Sequence, residues 1–214
     1  MKHYYPIFLD LDSQPCLIVG GGEVAEQKIE PLLDCGARVT VISPDLTSQL
    51  RESAEAGTFR WIPRQYEPGD VEGYFLVVCA TDAPAVNEQV AADGLARNLL
   101  VNVVDAPRLC RFIMPAVVRR GDLCIAISTG GTSPAMAQRI RQQLEHRFGP
   151  EYAILLDILG SYRAEMKERY PDDFEQRQAL WENLVHADLL DLIRGGQIDE
   201  ARQKVEACIS TSSA

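Results

Sequence analysis

The chain has 214 residues, 46% of them hydrophobic and 24% charged, with a net charge of −10. That is the make-up of a soluble globular protein, long enough to bury one large core or two small ones. No apolar run is long enough to span a membrane and no basic-then-apolar leader opens the chain, so the cytoplasm is the expected compartment and no membrane is an expected partner.

Residues 1–113 predict alternating strands and helices, the rhythm of a Rossmann-like, doubly wound parallel sheet. Strands are expected near 16–19, 38–42, 58–62, 74–79 and 99–103, and helices near 23–35, 45–56 and 84–97. The first strand runs straight into Gly20-Gly21-Gly22-Glu23-Val24-Ala25. Gly20-x-Gly22-x-x-Ala25 is the G-x-G-x-x-A form of the dinucleotide fingerprint. Gly20 permits a tight turn, Gly22 lets the backbone approach a pyrophosphate, and Ala25 lets helix and strand pack closely. The helix N-terminus offers N–H groups and partial positive charge to phosphates. A purely structural βα turn is the competing reading. Pro31 sits inside the expected helix and should kink or shorten it. The second strand ends in Ser43-Pro44-Asp45, so the ribose contact falls to Asp45 or to backbone around Pro44. No arginine follows that strand to meet a 2′-phosphate, which favours NAD over NADP. Thr81 and Asn102 complete the cofactor-binding candidates.

Strand five ends at Val101-Asn102-Val103-Val104-Asp105-Ala106-Pro107, on the carboxyl edge where ligands of open α/β sheets lie. Asp105 has two readings: a general base near the nicotinamide end of the cofactor, or a residue capping a turn before Pro107. Two strand-like runs follow, Arg111 to Val118 and Leu123 to Ser128, joined by Arg119-Arg120-Gly121-Asp122 as a hairpin turn. A second glycine turn, Thr129-Gly130-Gly131-Thr132-Ser133-Pro134, precedes a helix. Ser133 suits its N-cap and Pro134 its first position. The paired glycines among hydroxyls suit either a capped helix or a loop that holds anionic groups. From Pro134 onward the chain predicts helices, with apolar faces through Tyr152, Leu155, Leu156, Leu159 and Tyr162, then Phe174, Leu180, Leu184, Leu189, Leu192 and Ile193. Ile209 to Ala214 is expected to be a disordered tail.

Six cysteines show no C-x-x-C pair and are expected to be reduced core thiols. Three histidines show no ligand spacing, so no protein-bound metal site is expected. Charge is unevenly spread. Residues 1–104 carry 7 basic and 15 acidic side chains, residues 105–147 carry 7 and 3, and residues 148–214 carry 7 and 13. The arginine-rich middle suits either a solvated face or a polyanionic small molecule, while the acidic flanks argue against nucleic acid.

Gly-Gly-Gly-Glu-Val-Ala, Val-Asn-Val-Val-Asp-Ala-Pro, Phe-Ile-Met-Pro-Ala and Ser-Thr-Gly-Gly-Thr-Ser-Pro occur here in the order seen in siroheme synthases. The chain resembles their precorrin-2 dehydrogenase and sirohydrochlorin ferrochelatase portion over essentially its whole length. It resembles a free-standing form without the domain that methylates uroporphyrinogen III, which implies hand-over from a separate methyltransferase. The resemblance implies an NAD-binding domain over 1–113, a dimerisation segment over 114–149, a helical region over 150–209, a tail over 210–214 and a homodimer. It implies dinucleotide contacts at Glu23, Val24, Pro44 and Asp45 and a catalytic role for Asp105. The hydroxyl phosphorylated in some relatives corresponds to Thr129, where they carry serine. Its tetrapyrrole substrates, precorrin-2 and sirohydrochlorin, are polycarboxylates. Arg108, Arg111, Arg119, Arg120, Arg139 and Arg141 are candidates to meet them, with the Thr129–Ser133 loop. Fe2+ enters as a substrate held by the macrocycle. Two alternatives stand beside this bifunctional reading: a dehydrogenase alone, or a sensor that binds NAD without turnover.

Overall fold

The computed structural model describes residues 3–211, which form two compact units divided between Met114 and Pro115. In the first unit, five parallel strands lie in the order β3-β2-β1-β4-β5. They are β1 (Pro15–Val19), β2 (Arg38–Ile42), β3 (Arg60–Ile62), β4 (Leu76–Cys79) and β5 (Leu100–Val103). Successive side chains of a strand point to opposite faces. Cys16, Ile18, Val39, Val41, Leu76 and Val78 therefore build one core with Ala25, Ile29 and Leu32 of α1 (Glu23–Asp34) and Leu50 of α2 (Ser48–Glu55). Leu17, Val19, Ile42, Val77, Cys79, Val101 and Val103 build the other with Val90 and Ala91 of α3 (Pro84–Ala96). Cover on both faces explains why β1 and β4 read as unbroken apolar runs. Burial pushes the Cys16 thiol up to about 11 and the Cys79 thiol up to about 12, so both are neutral core groups.

The helix α1 continues past Pro31 to Asp34 and is not cut short there. Pro31 lies on its exposed face, where water can serve the carbonyl left without an N–H partner. Helix α2 starts at Ser48, three residues later than expected, because Thr47 is its cap and accepts from the Leu50 N–H at 3.2 Å. Between β3 and β4 the chain crosses without a helix. Pro63, Pro68, Gly69 and Gly73 break any such element, and Tyr66, Val71 and Tyr74 join the second core instead. Arg64 holds Asp70 with two bonds, at 2.6 and 2.7 Å. Asp93 of α3 accepts from the Tyr66 hydroxyl at 2.6 Å and the Gly69 N–H at 3.1 Å. The Arg64 hydrogen bond holds the Asp70 carboxyl below its ordinary value. Burial, then the Asp93 carboxylate, pushes the Tyr66 hydroxyl up.

The second unit opens with an antiparallel hairpin, β6 (Ala116–Arg120) and β7 (Leu123–Ile127), with Val118 opposite Ile125. Its turn is only Gly121-Asp122, so Arg119 and Arg120 belong to the strand and not to the turn expected from sequence. The left-handed φ of +55° at Gly121 makes the two-residue connection possible. Strand character also starts later than expected, at Ala116, not Arg111. Six helices follow: α4 (Pro134–Arg147), α5 (Glu151–Ser161), α6 (Arg163–Arg169), α7 (Phe174–His186), α8 (Leu189–Arg194) and α9 (Ile198–Thr211). Ile158, Met166, Leu180, Leu184, Leu189, Ile193, Val205 and Ile209 bury together. Phe174, placed on an apolar face by its spacing, is instead 68% exposed at the start of α7. The hairpin segment and the helical region, separate stretches in the sequence, thus fall in one compact unit. The predicted disorder from Ile209 is overturned through Thr211, because buried Ile209 anchors the last turn of α9; residues 212–214 lie outside the described residues.

Candidate functional site

The carboxyl edge of the first sheet gathers the candidates of the first unit. Gly20 adopts φ +118°, and a Cβ there would stand 2.3 Å from the Ala80 carbonyl oxygen. Gly21 is as constrained: its Cβ would lie 2.1 Å from the Asp45 carbonyl oxygen and 2.8 Å from Ser43 Oγ. The fingerprint leaves that middle position free, so only the structure reveals its packing against the loop after β2. A Cβ on Gly22 would meet nothing within 4 Å. Gly22 is the N-cap of α1 and supplies no side-chain cap, so the N–H groups of the first turn face open space. Such a helix start, with room beside it, fits the pyrophosphate of a dinucleotide. Glu23 and Val24 offer their main chain there; their side chains are exposed.

The loop after β2 is shaped from within. Ser43 is buried, donates to the Asp45 carbonyl at 2.6 Å and accepts from Trp61 Nε1 through its own carbonyl at 3.0 Å. Its hydroxyl thus shapes the loop, while Pro44 and Asp45 are exposed. Thr47 N–H donates to the Gly21 carbonyl at 2.9 Å, tying this loop to the glycine turn. Thr81, at the end of β4, accepts from the Ala83 N–H at 3.1 Å. Asn102 is buried, and its amide donates to the Phe112 carbonyl at 3.0 Å. That side chain acts inside the fold, whereas the sequence suggested a direct cofactor contact.

Asp105 occupies the turn after β5 in the left-handed conformation, at φ +57°. Aspartate is among the few non-glycine residues that adopt it readily. Its side chain is exposed and has no hydrogen bond or ion pair among the described residues. Arg108 pairs with Glu88 at 2.6 Å, and Arg111 reaches Asn98 at 3.5 Å.

The remaining candidates belong to the second unit. Gly130 and Gly131 have φ of +63° and +85°, and a Cβ on either would meet nothing within 4 Å. The Thr129 hydroxyl donates to the Ser133 carbonyl at 3.0 Å and accepts from the Ser133 N–H at 3.1 Å. Ser133 Oγ caps α4 by accepting from the Met136 N–H at 3.3 Å. Both hydroxyls therefore serve the loop itself, and Thr132 N–H turns back to the Thr129 carbonyl. Arg120 is held by main-chain carbonyls of Arg119 and Glu145, and Arg141 pairs with Glu145. Arg119 and Arg139 are exposed with no ion pair among the described residues. No three His, Cys, Asp or Glu side chains among the described residues are grouped to hold a metal ion, and no described helix is long and apolar enough to cross a membrane.

Fold and site together define a Rossmann-like dinucleotide-binding protein, and the family described as putative NAD(P)-binding matches residues 7–116. Residues 120–147 match the sirohaem biosynthesis protein central region, and residues 151–209 the sirohaem synthase dimerisation region. The chain belongs to the siroheme synthase family. The dimerisation description falls on the helices after α4, and the central description on most of the segment 114–149 that the sequence reading gave to dimerisation. The siroheme synthase of Methylobacillus flagellatus is 38% identical over 205 residues, 96% of this chain and 44% of that protein. Siroheme synthase 1 of Aeromonas salmonicida is 43% identical over 187 residues, 87% and 40% respectively. The chain thus spans under half the length of these relatives. A solved structure of SirC, precorrin-2 dehydrogenase, superposes with a TM-score of 0.78 at 27% identity, covering 95% of this chain and 100% of that one.

Proposed function

We propose that this chain oxidises precorrin-2 to sirohydrochlorin with NAD+ and then inserts Fe2+ to give siroheme. The observation that carries the reading is a pair of unsatisfied features on one sheet edge: the uncapped start of α1 beside Gly22, and the unpartnered carboxylate of Asp105. The relatives named siroheme synthase and precorrin-2 dehydrogenase point to the same chemistry.

NAD+, when bound, accepts the hydride that leaves the macrocycle. Main-chain N–H groups of Glu23 and Val24 hold its pyrophosphate, and the loop Ser43–Asp45 borders its ribose. Loss of hydride leaves a proton to remove, and the Asp105 carboxylate accepts it. In the chelation step Fe2+ displaces two pyrrole N–H protons, and the same carboxylate, having passed its first proton to water, takes these one at a time and passes each to water. Arg108, Arg111, Arg119, Arg120 and Arg139 supply positive charge for the substrate carboxylates, Arg119 and Arg139 without an internal ion pair to break. The Gly130-Gly131 backbone adds room for an anionic group.

The active form is a homodimer, as the dimerisation region implies. Sedimentation at micromolar concentration should show it, and a monomer would reject it. Purified protein is mixed with precorrin-2 and NAD+, then with Fe2+, while the absorption spectrum is followed. Successive conversion to sirohydrochlorin and siroheme is expected. Absence of oxidation would leave an NAD sensor, and oxidation without metal insertion would leave a dehydrogenase alone.

A further inference from the structure

Asp105 has no side-chain partner among the described residues to aim it, so its direction is set by its backbone. That backbone is left-handed, in a turn at the open edge of the sheet: among the described residues β5 pairs with β4 alone. The Val104 N–H points inward to the Cys79 carbonyl at 2.9 Å. In a parallel strand the next groups alternate sides, so the Val103 N–H and the Val101 carbonyl point outward, where no sixth strand lies among the described residues. The segment Cys110–Phe112 returns along this edge and fills those positions. Val103 N–H donates to Cys110 Sγ at 3.2 Å, and Arg111 N–H donates to the Val101 carbonyl at 2.8 Å. The Asn102 amide bonds the Phe112 carbonyl at 3.0 Å and lies 3.7 Å from the same sulfur. The Cys110 S–H lies within 3.2 Å of the Val103 carbonyl and 3.4 Å of the Ala106 carbonyl. Cys110 is 8% exposed, so these bonds are made out of water.

We infer that Cys110, backed by Asn102, is a positioning residue for Asp105: its thiol closes both ends of the turn and fixes the left-handed backbone that presents the carboxylate. The sulfur accepts from Val103, before Asp105, and donates to the carbonyl of Ala106, after it. A side chain of the same size without a donor or acceptor would remove the sulfur bridge between Val103 and Ala106, leaving main-chain bonds such as Ala106 N–H to the Val103 carbonyl at 3.2 Å and Leu109 N–H to the Ala106 carbonyl at 2.9 Å. This inference rests on the proposed role of Asp105 as proton acceptor. Misaiming a reacting group by about 1 Å costs about 100-fold in rate.

The test is a double-mutant cycle on the full chain. Cys110→Val, Asp105→Asn and the double variant are compared for kcat and KM in precorrin-2 oxidation, per folded molecule, with NAD+ affinity by titration. Cys110→Val should lower kcat about 10- to 100-fold and leave NAD+ affinity unchanged. On the Asp105→Asn background it should cost nothing further, because the group it aims is gone. Cys110→Ser, which restores a donor and acceptor, should recover most of the rate, and Cys110→Ala, which removes both without adding bulk, carries the cycle should Cys110→Val not fold. Equal losses on both backgrounds, or a wild-type kcat in Cys110→Val, would overturn the inference and leave Asp105 in place. A wild-type kcat in Asp105→Asn would overturn both the inference and the proposed role of Asp105.

Discussion

Gly22→Asp should separate cofactor binding from folding, with opposite signs. Gly22 sits at φ −87° and ψ −175°, an extended conformation open to any residue, and a Cβ there has 4 Å of clear space. The carboxylate would fit without strain and accept from the first-turn N–H groups of α1. Glycine is already a tolerable N-cap, so the gain is about 0.5 kcal/mol from the cap and the helix dipole. For a chain of this size that is a rise of about 1–2 °C in Tm. The same carboxylate would occupy the donors that a pyrophosphate needs and would repel it. Two unit charges about 4 Å apart cost about 1 kcal/mol in water and about 4 kcal/mol at an effective dielectric near 20. Kd for NAD+ should therefore rise about 10- to 1,000-fold. Calorimetric titration measures that loss, and thermal melts without NAD+ measure the fold. Saturating NAD+ should raise the wild-type Tm, since about 100-fold excess over Kd stabilises by about 2.7 kcal/mol, and should stabilise the variant by about 1.4 kcal/mol at most, falling to almost nothing at the weak end of that range. Gly22→Asn, which caps without charge, should lose less affinity. A variant that bound NAD+ like the wild type would refute the placement of the pyrophosphate. One that melted lower without NAD+ would refute the open-cradle geometry.

Gly21→Ala should act the other way. Its Cβ would press on the Asp45 carbonyl, so stability should fall by about 1–3 kcal/mol, read as a lower urea midpoint, and a wild-type midpoint would contradict the contact. Asp105→Asn should keep Tm, because asparagine tolerates the left-handed backbone, while both rates fall about 100- to 10,000-fold. Asp105→Ala should in addition lose about 1 kcal/mol at that φ, and unchanged rates per folded molecule in both would remove the carboxylate from the mechanism. The Arg64 hydrogen bond lowers the Asp70 carboxyl in the folded state. Its contribution is therefore fully present above the unfolded value, near 3.8, and is lost as pH falls through the lower folded value. Asp70→Asn should lower stability at pH 7 and flatten that acid-side decline, and a variant with the wild-type acid profile would rule the pair out.

Much of the first unit is legible in its sequence because burial on both faces leaves little choice. Cys16–Val19 and Leu76–Cys79 have no polar residue to place outward, so they are central strands. Boundaries are less legible. Thr47 starts α2 and Gly121-Asp122 alone turns the hairpin, each fixed by local geometry that several neighbouring residues could equally supply. Pro31 signals a break that its exposed position makes tolerable. The glycine turn is legible at Gly20 and Gly22, where spacing carries meaning. At Gly21 the constraint comes from Asp45, brought close only by the β1–β2 pairing. Thr129 and Ser133 carry hydroxyls that sequence offers to a ligand and the fold spends on main-chain groups, those of Ser133 for Thr129 and the Met136 N–H for Ser133. Cys110 reads as one more core thiol, because its task exists only once the chain has doubled back along β5.

The candidate site also departs from ordinary folding rules in a consistent direction. A helix of twelve residues starts on glycine without a side-chain cap, where Thr47, Ser133 and Asp173 cap α2, α4 and α7, although α3, α5, α6 and α8 also start uncapped. The Asp105 carboxylate projects without a partner among the described residues, whereas Glu88 pairs with Arg108 and Asp93 accepts from Tyr66. A left-handed turn is built on aspartate where asparagine or glycine would be easier. Each choice forgoes up to about 1 kcal/mol. Such losses survive when the surrounding structure over-determines the conformation, and here it does: β1 is paired on both sides, Gly21 is wedged against the β2 loop, and the Asp105 turn is tied to the sheet edge by sulfur and main chain. Local rules are broken where donors and charge must stay available to a ligand, and the rigid edge around them is what makes that availability stable.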